Sequence, residues 1–205
     1  MIKNLIFDFG KVLVDYDFQH VLNRYFKEDK ESERKFCDIF MSKEFIDACD
    51  RELIPFEELI KETQRAHPYF HDALDFFYDN YTEYVTNEIE GMKELLVTLK
   101  KMGFKLYGLS NWCSAVHEIM RRYDIFDLLD GRVVSCEEQV IKPEAEIYMR
   151  LCNRFGLIPS ECLFTDDKIE NVIGAESIGM NAVLFTSTKQ YVNDIENLYN
   201  ISVRK

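Results

Sequence analysis

The sequence has little positive charge and no long apolar stretch. Its 25 Lys and Arg residues are outnumbered by 37 Asp and Glu residues, which gives a formal net charge of −12. Proteins that bind nucleic acids or anionic lipid surfaces normally present a basic face, so neither partner is favoured. No apolar run approaches the roughly 20 residues that a membrane helix needs, which argues against a membrane-spanning protein.

The six cysteines also lack a recognisable pairing pattern. None of them lies in a C-x-x-C pair. The segment from Met1 to Phe7 runs directly into Asp8 and has no secretory signal pattern. A chain of 205 residues can bury enough surface to fold without disulfides. We therefore expect a reduced, cytoplasmic protein whose cysteines serve packing, rather than a disulfide framework.

The composition is that of an ordinary globular protein. Hydrophobic residues make up 47% of the chain and charged residues 30%, so disorder is not expected. The length suits one α/β domain, or a core with a small appendage. No internal repeat or low-complexity segment interrupts it.

Short apolar runs, each followed by polar residues, predict buried parallel strands. A weaker run at Arg132 to Ser135 precedes the loop that leads to Lys142. The four clearer runs are Leu5–Phe7, Phe104–Leu109, Cys162–Phe164 and Asn181–Phe185.

Amphipathic segments of helix length separate these runs. Helices are predicted over Glu90–Met102, Pro143–Phe155 and Asn171–Ile178, and a glycine follows each of them. Strands that alternate with helices predict a Rossmann-like, doubly wound parallel sheet. We expect its first strand to be central and its ligands to bind at the carboxyl ends of the strands.

The segment from residue 16 to residue 87 has a different pattern. It is rich in Phe, Tyr, Glu and Lys at helical spacing, with breaks at Ile54-Pro55 and His67-Pro68. No strand is predicted within it. We expect an inserted helical cap at 16–87, and a core formed by residues 1–15 and 88–205.

Polar residues with catalytic potential follow the predicted strands in a fixed order. These residues are Asp8, Ser110-Asn111, Lys142-Pro143 and Asp166-Asp167. In this order they resemble the four motifs of the haloacid dehalogenase (HAD)-like hydrolase superfamily, and the resemblance covers essentially the whole chain. Each motif alone is a weak signal, whereas four in order are a strong one.

The resemblance implies a Mg²⁺-dependent phosphatase with Asp8 as the nucleophile, which becomes transiently phosphorylated. Ser110, the backbone N–H of Asn111 and Lys142 would bind the substrate phosphate, and Lys142 would also serve catalysis. Mg²⁺ prefers a few hard oxygen ligands. By resemblance these are Asp8, the Gly10 carbonyl and Asp167, with Asp166 acting through bound water and Asn171 in the second shell. The expected substrate is a small phosphorylated metabolite selected by the cap.

Gly10 departs from the family pattern. Most phosphatases of this superfamily have a second Asp there, which protonates the leaving group, and Lys11 stands where a Gly is common. A sugar-phosphate (glucose-1-phosphate type) subgroup looks similar, so a sugar phosphate is one candidate substrate. Without the acid, the rate should depend strongly on the leaving group, unless a cap residue, Lys11 or water supplies the proton.

Three alternatives remain open at this point. A haloacid dehalogenase shares the Asp nucleophile, but the pair Asp166-Asp167 would repel its carboxylate substrate unless a cation intervened. A mutase would generally keep the acid that Gly10 replaces. A catalytically silent binding protein of the same fold is the third.

Other polar and aromatic residues in the first half of the chain have plainer interpretations. His67 and His71 are spaced like a metal pair, but Pro68 and the aromatic neighbours favour a surface turn. Asp15 and Asp17 are expected to be structural. The aromatic residues from Phe76 to Tyr84 should mainly pack inside the cap, with one or two rings facing the site.

Overall fold

The central element of the structure, a computed structural model that describes residues 1–203, is a five-stranded parallel sheet. Its strand order is β5-β4-β1-β6-β7, so the first strand is central, as predicted. Leu5 of β1 lies opposite Leu106 on one side and Leu163 on the other. The strands of the described residues are β1 (Asn4–Phe7), β2 (Val14–Tyr16), β3 (Val85–Glu88), β4 (Lys105–Ser110), β5 (Gly131–Val134), β6 (Cys162–Asp166) and β7 (Asn181–Leu184).

Helices cover both faces of this sheet, which confirms the predicted fold class. The three predicted core helices are present as α6, α9 and α10, with bounds that differ by at most two residues. Gly103, Gly156 and Gly179 follow them with positive φ, as glycines that end helices commonly do. The helices are α1 (Phe18–Phe26), α2 (Lys30–Phe40), α3 (Lys43–Arg51), α4 (Phe56–Ala66), α5 (His71–Asp79), α6 (Met92–Lys101), α7 (Val116–Arg122), α8 (Ser135–Glu138), α9 (Ala145–Phe155), α10 (Ile169–Ser177) and α11 (Thr188–Tyr199).

The prediction that no strand lies within 16–87 was wrong at both ends of that segment. β2 and β3 pair antiparallel, with Asp15 opposite Asn87, and form a two-stranded ribbon where the inserted segment leaves and rejoins the core. Strands of three and four residues are too short to show a period in the sequence. Between them the structure contains only helices α1 to α5 and single 3₁₀ turns. The division into two domains stays a prediction.

Two buried clusters hold the layers together. One fills the sheet face that carries Ile6, Leu109 and Phe164, against α9 and α10. The other begins at Leu5 and Phe7 on the opposite face and continues without a break into the aromatic interior of the inserted helices. Phe77 of α5 is central there, with its ring 3.8 Å from Phe40 and 5.5 Å from Tyr81 between centroids. The helices therefore share one continuous core with the sheet.

All six cysteines are free, and four of them are buried. No helix of residues 1–203 is long and apolar enough to cross a bilayer.

Candidate active site

The predicted site residues meet at one edge of the sheet. Asp8 directly follows β1, Ser110 ends β4 and Asp166 ends β6, and these three strands are neighbours. The Asp8 amide donates to the Thr165 carbonyl at 2.9 Å, which continues the β1–β6 pairing to the site. Because parallel strands end together, residues more than 150 positions apart in the chain are brought to one place.

Lys142 lies at the centre of this group. Its side chain is almost fully buried, and its ammonium lies 2.9 Å from Asp8 Oδ1 and 2.6 Å from Asp166 Oδ2. The Asn111 side chain fixes the Lys142 backbone, since its Oδ1 accepts from the Lys142 amide at 2.7 Å and its Nδ2 donates to the Lys142 carbonyl at 3.0 Å. The Asn111 side chain thus positions the lysine.

Asp166 and Asp167 have different surroundings although they are adjacent. Asp166 is fully buried, and its carboxylate accepts from Lys142, from Asn171 Nδ2 at 3.0 and 3.1 Å, and from the Lys168 amide at 2.8 Å. Asp167 is half-buried and lines the cleft above Asp8. Apart from its own backbone amide, no group within residues 1–203 hydrogen-bonds its carboxylate. Asp167 is therefore the member of the pair that is open to a ligand.

The site holds more negative than positive charge. Oxygens of Asp8, Asp166 and Asp167 all lie within 4.8 Å of one another, and among residues 1–203 only Lys142 forms an ion pair with any of them. Burial raises the pKa of Asp8 to about 6, with the repulsion of Asp166 and Asp167 adding to it and Lys142 opposing it. Burial and the neighbouring Asp166 raise the pKa of Asp167 as well. Such a set of hard oxygen donors fits Mg²⁺, whose charge would relieve the repulsion.

Ser110 Oγ and Asp8 Oδ2 have no hydrogen-bond partner in the described residues, and neither does Trp112 Nε1 in the cleft wall. Ser110 Oγ is buried, and it makes no hydrogen bond in the described residues. Asp8 Oδ1 accepts from the Phe9 amide at 2.7 Å and pairs with Lys142, which leaves Asp8 Oδ2 free. A buried hydroxyl without a partner costs free energy, so its presence in the cleft wall indicates a polar ligand.

Gly10 lies in the same cleft, and the Tyr16 ring occupies the space that a side chain at position 10 would need. A Cβ on Gly10 would meet Cε1 of Tyr16 at 2.9 Å, closer than real contacts allow. The Tyr16 ring is held edge-on by Phe18, Tyr84 and Trp112. Lys11, one of the candidate proton donors, instead binds Asp15 and the Tyr16 carbonyl and does not line the cleft.

The cap side of the cleft is mostly apolar and aromatic. Tyr81 and Tyr84 line it as the aromatic segment predicted, and the cleft has a cavity volume of about 130 Å³. Asp50, at the end of α3, is the one carboxylate that the inserted segment adds to the cleft within the described residues. Sequence reasoning missed Asp50, because an acid in an amphipathic helix looks like any solvated residue. It also missed Trp112 and Lys168. The only signal for them in the sequence is that each directly follows a predicted site residue, Asn111 and Asp167 respectively.

The residues with plainer interpretations lie where expected. His71 is exposed beside Asp72 and Asp75, and His67 lies at the turn between α4 and the 3₁₀ turn Pro68–Phe70. Asp15 accepts from Lys11 and from the Tyr16 amide, and Asp17 caps α1. All four are structural or surface residues.

The family assignment agrees with the fold and this arrangement. The family model described as haloacid dehalogenase-like hydrolase matches residues 2–179. The chain belongs to this family of hydrolases. The narrower likeness to the glucose-1-phosphate type stays a prediction.

Individual relatives are consistent with this assignment. The chain is 31% identical over 157 residues to flavin mononucleotide hydrolase 1 of Arabidopsis thaliana, which covers 74% of this chain and 64% of the relative. It is 28% identical over 204 residues to D-ribitol-5-phosphate phosphatase of Bacteroides thetaiotaomicron, covering 86% and 88%. For several curated relatives the match spans only about half to two thirds of the relative's length.

A solved HAD family enzyme of Bacteroides thetaiotaomicron, in complex with magnesium and inorganic phosphate, superposes with a TM-score of 0.72. It is 20% identical, and the match covers 92% of this chain and 96% of that one. At this identity the likeness shows the fold alone. Dehalogenases share the fold too, so the fold does not choose between the two reactions.

The contact between position 10 and Tyr16 gives a testable prediction. We expect Gly10→Ala to destabilise the protein by about 1–3 kcal/mol, because the added methyl group must displace a packed ring. In a Tyr16→Ala background the same change should cost much less. Urea denaturation of the wild type, both single variants and the double variant measures this coupling. Equal costs in the two backgrounds would show that the Tyr16 ring is not the obstacle.

Proposed function

We propose that this protein is a Mg²⁺-dependent phosphatase that hydrolyses a small phosphorylated metabolite through an aspartyl-phosphate on Asp8. The observation that carries the proposal is the free oxygen of Asp8 in a cleft with a fixed ammonium, an unpartnered hydroxyl and an open second carboxylate. Each of these groups matches one need of phosphoryl transfer. The family membership and the hydrolase and phosphatase names of the relatives support it.

The chain's own residues account for the nucleophilic step. Lys142 and the Phe9 amide hold Asp8 Oδ1, which leaves Oδ2 oriented for attack on phosphorus. The Ser110 hydroxyl donates to a phosphate oxygen, and pre-placed donors of this kind stabilise charge that develops in the transition state. Water then attacks the phosphorus of the aspartyl-phosphate and releases Asp8.

Mg²⁺ would be held by Asp8, the Gly10 carbonyl and Asp167, and Asp166 would hold the neighbouring residues in place. When bound, it screens the repulsion between the Asp8 carboxylate and the phosphate dianion. The hydrogen bonds of Asp166 are all taken up by Lys142, Asn171 and the Lys168 amide. We therefore propose that Asp166 and Asn171 orient Lys142 and the loop that carries Asp167, and that they do not coordinate Mg²⁺ directly.

The cap limits what can reach Asp8. Its aromatic side chains line one side of the cleft and restrict access to it, so a small metabolite is favoured over a macromolecule. A cytoplasmic location is part of the proposal, because all six cysteines are free. The excess of acidic residues speaks against a nucleic-acid substrate.

The dehalogenase and binding-protein alternatives explain the site less well. A haloacid carboxylate would approach three clustered carboxylates, of which Asp8 and Asp166 share the single buried ammonium of Lys142. A silent binding protein would have no need for the free Asp8 Oδ2. A mutase is disfavoured by Gly10, where such enzymes generally keep an acid.

The nucleophile is tested by Asp8→Asn. We expect turnover of 4-nitrophenyl phosphate with Mg²⁺ to fall on the order of 10⁴-fold or more, because an amide oxygen cannot form the phosphoenzyme. Circular dichroism should show an unchanged fold. The control variant is Ser177→Ala, which lies in α10 far from the cleft. Near-normal turnover by a folded Asp8→Asn protein would refute the assignment.

Substitutions of the two neighbouring aspartates, Asp166 and Asp167, should have different effects on Mg²⁺ binding and on stability. Asp167→Ala should weaken Mg²⁺ binding by about tenfold or more while stability changes little, because its carboxylate is open to the cleft. Asp166→Ala should weaken Mg²⁺ binding less but cost about 3–5 kcal/mol of stability, because it leaves the buried Lys142 with one partner fewer. Calorimetric Mg²⁺ titration and urea denaturation in chelator measure the two effects. The opposite pattern would exchange the two roles.

A further inference from the structure

We propose that Asp50 of the inserted helical segment is the general acid and base of the reaction, taking the role that Gly10 cannot supply. The inference rests on the proposed phosphatase function. It is carried by the position of Asp50 in the cleft, by its lack of any structural partner and by the way the end of α3 is fastened to the core.

Position is the first argument. Asp50 lines the same cleft as Asp8, Ser110 and Lys142, and it belongs to the inserted helical segment rather than to the sheet edge. A phosphate bound between Ser110 and Lys142 would direct its leaving group towards the cap, where Asp50 lies. The titratable residues on that side also include Cys49, Tyr81 and Tyr84. The hydrogen bond with Cys113 and burial hold the pKa of Cys49 well above its usual range, and burial does the same for the two tyrosines. Asp50 is therefore the group on this side of the cleft that can give a proton to the leaving group.

Asp50 has no structural task that explains it. No hydrogen bond or ion pair to its carboxylate occurs in the described residues, whereas its neighbours Arg51 and Glu52 are both engaged. It also lies in the last turn of α3, where the helix dipole disfavours a negative charge. An unpaired acid at the carboxyl end of a helix costs stability, so a function in the cleft accounts for it better than packing does.

The end of α3 is fastened to the core at three consecutive residues. The Ser135 hydroxyl donates to the Asp50 carbonyl at 2.6 Å. Arg51 pairs with Glu144. Glu52 accepts from the amide and the hydroxyl of Ser114, the latter at 2.7 Å. These bonds join the cap to the loops that carry Asn111 and Lys142, and they fix the backbone that carries Asp50 in the cleft, as a catalytic group requires.

The electrostatic surroundings suit proton transfer near neutral pH. Burial raises the pKa of Asp50 to about 7; Lys168 and Lys142 oppose the rise, and Asp8 and Asp47 add to it. An acid with a pKa near the working pH can both donate and accept a proton within one cycle. An unpaired, partly buried carboxyl in these surroundings can therefore serve both as donor and as acceptor of the proton.

The proton balance of the two steps is complete. In the first, Asp8 Oδ2 forms a bond to phosphorus, the bond from phosphorus to the leaving oxygen breaks, and Asp50 gives its proton to that oxygen. In the second, the Asp50 carboxylate takes a proton from water, whose oxygen attacks phosphorus and releases the Asp8 carboxylate. Asp50 ends protonated, and the products are an alcohol and phosphate.

The stability of Asp50→Asn tests the protonation without any turnover. A raised folded-state pKa gives stability that is present below pH about 4 and is lost as the pH rises towards 7. Asn has no such loss, so in chelator the unfolding equilibrium constants of wild type and variant should diverge by up to about tenfold per pH unit over this window. Above pH 7 the gap should stay constant. A gap that does not change with pH would show that Asp50 is an ordinary ionised carboxylate and would overturn the inference.

The decisive experiment compares leaving groups in single-turnover phosphorylation with Mg²⁺. For Asp50→Asn we expect the rate with glycerol phosphate, a simple alkyl ester, to fall about 10²- to 10⁴-fold. With 4-nitrophenyl phosphate, whose leaving group needs no proton, the rate should fall less than about tenfold. Asp47→Asn, one turn earlier in α3 and outside the cleft, removes the same charge and should leave both rates near wild type.

Each other outcome has a distinct meaning. Equal losses on both esters would make Asp50 a positioning residue and overturn the inference, as would no loss on either. A wild type that turns over neither ester, with Mg²⁺ binding intact, would overturn the proposed phosphatase function and the role of Asp50 with it. The pH dependence of stability distinguishes a variant that fails to fold from one that lacks the acid.

Discussion

The mutual repulsion of carboxylates around one buried ammonium is the constraint on which the rest of this structure depends. Asp8, Asp166 and Asp167 lie within 4.8 Å of one another, and Lys142 is the only cation paired with them in the described residues. Separating any of these groups would relieve the repulsion. The packed sheet and the hydrogen bonds of Asn111 and Asn171 prevent that separation, so folding energy maintains an electrostatically strained site.

The inserted helices complete the site as well as cover it. Their aromatic core is continuous with the sheet's core, and the end of α3 is bonded to the loops that follow β4 and β5. Tyr16 fills the space where a side chain at position 10 would lie, which removes the usual location of a proton donor. We infer that Asp50 compensates from the cap. On this account Gly10, Tyr16 and Asp50 depend on one another: Tyr16 leaves no room for an acid at position 10, and Asp50 supplies the proton instead.

The sequence was sufficient for the sheet and for the meeting of the four motifs. Buried parallel strands are apolar on both faces and end at polar residues, so β1, β4 and β6 and the residues after them could be read directly. The ribbon of β2 and β3 was missed because each strand has only three or four residues. The contact of Gly10 with Tyr16, and the place of Asp50, depend on how the inserted helices pack against the core, and no spacing in the chain encodes that.

The account's central claim, a covalent phosphoenzyme on Asp8, can be measured directly. The protein is mixed with 4-nitrophenyl phosphate and Mg²⁺, quenched in acid within the first turnover, digested and examined by mass spectrometry. We expect a phosphoryl group on the peptide that contains Asp8, and none when chelator replaces Mg²⁺. Product release with no phosphopeptide at any quench time, or a phosphoryl group on a different residue, would contradict the account.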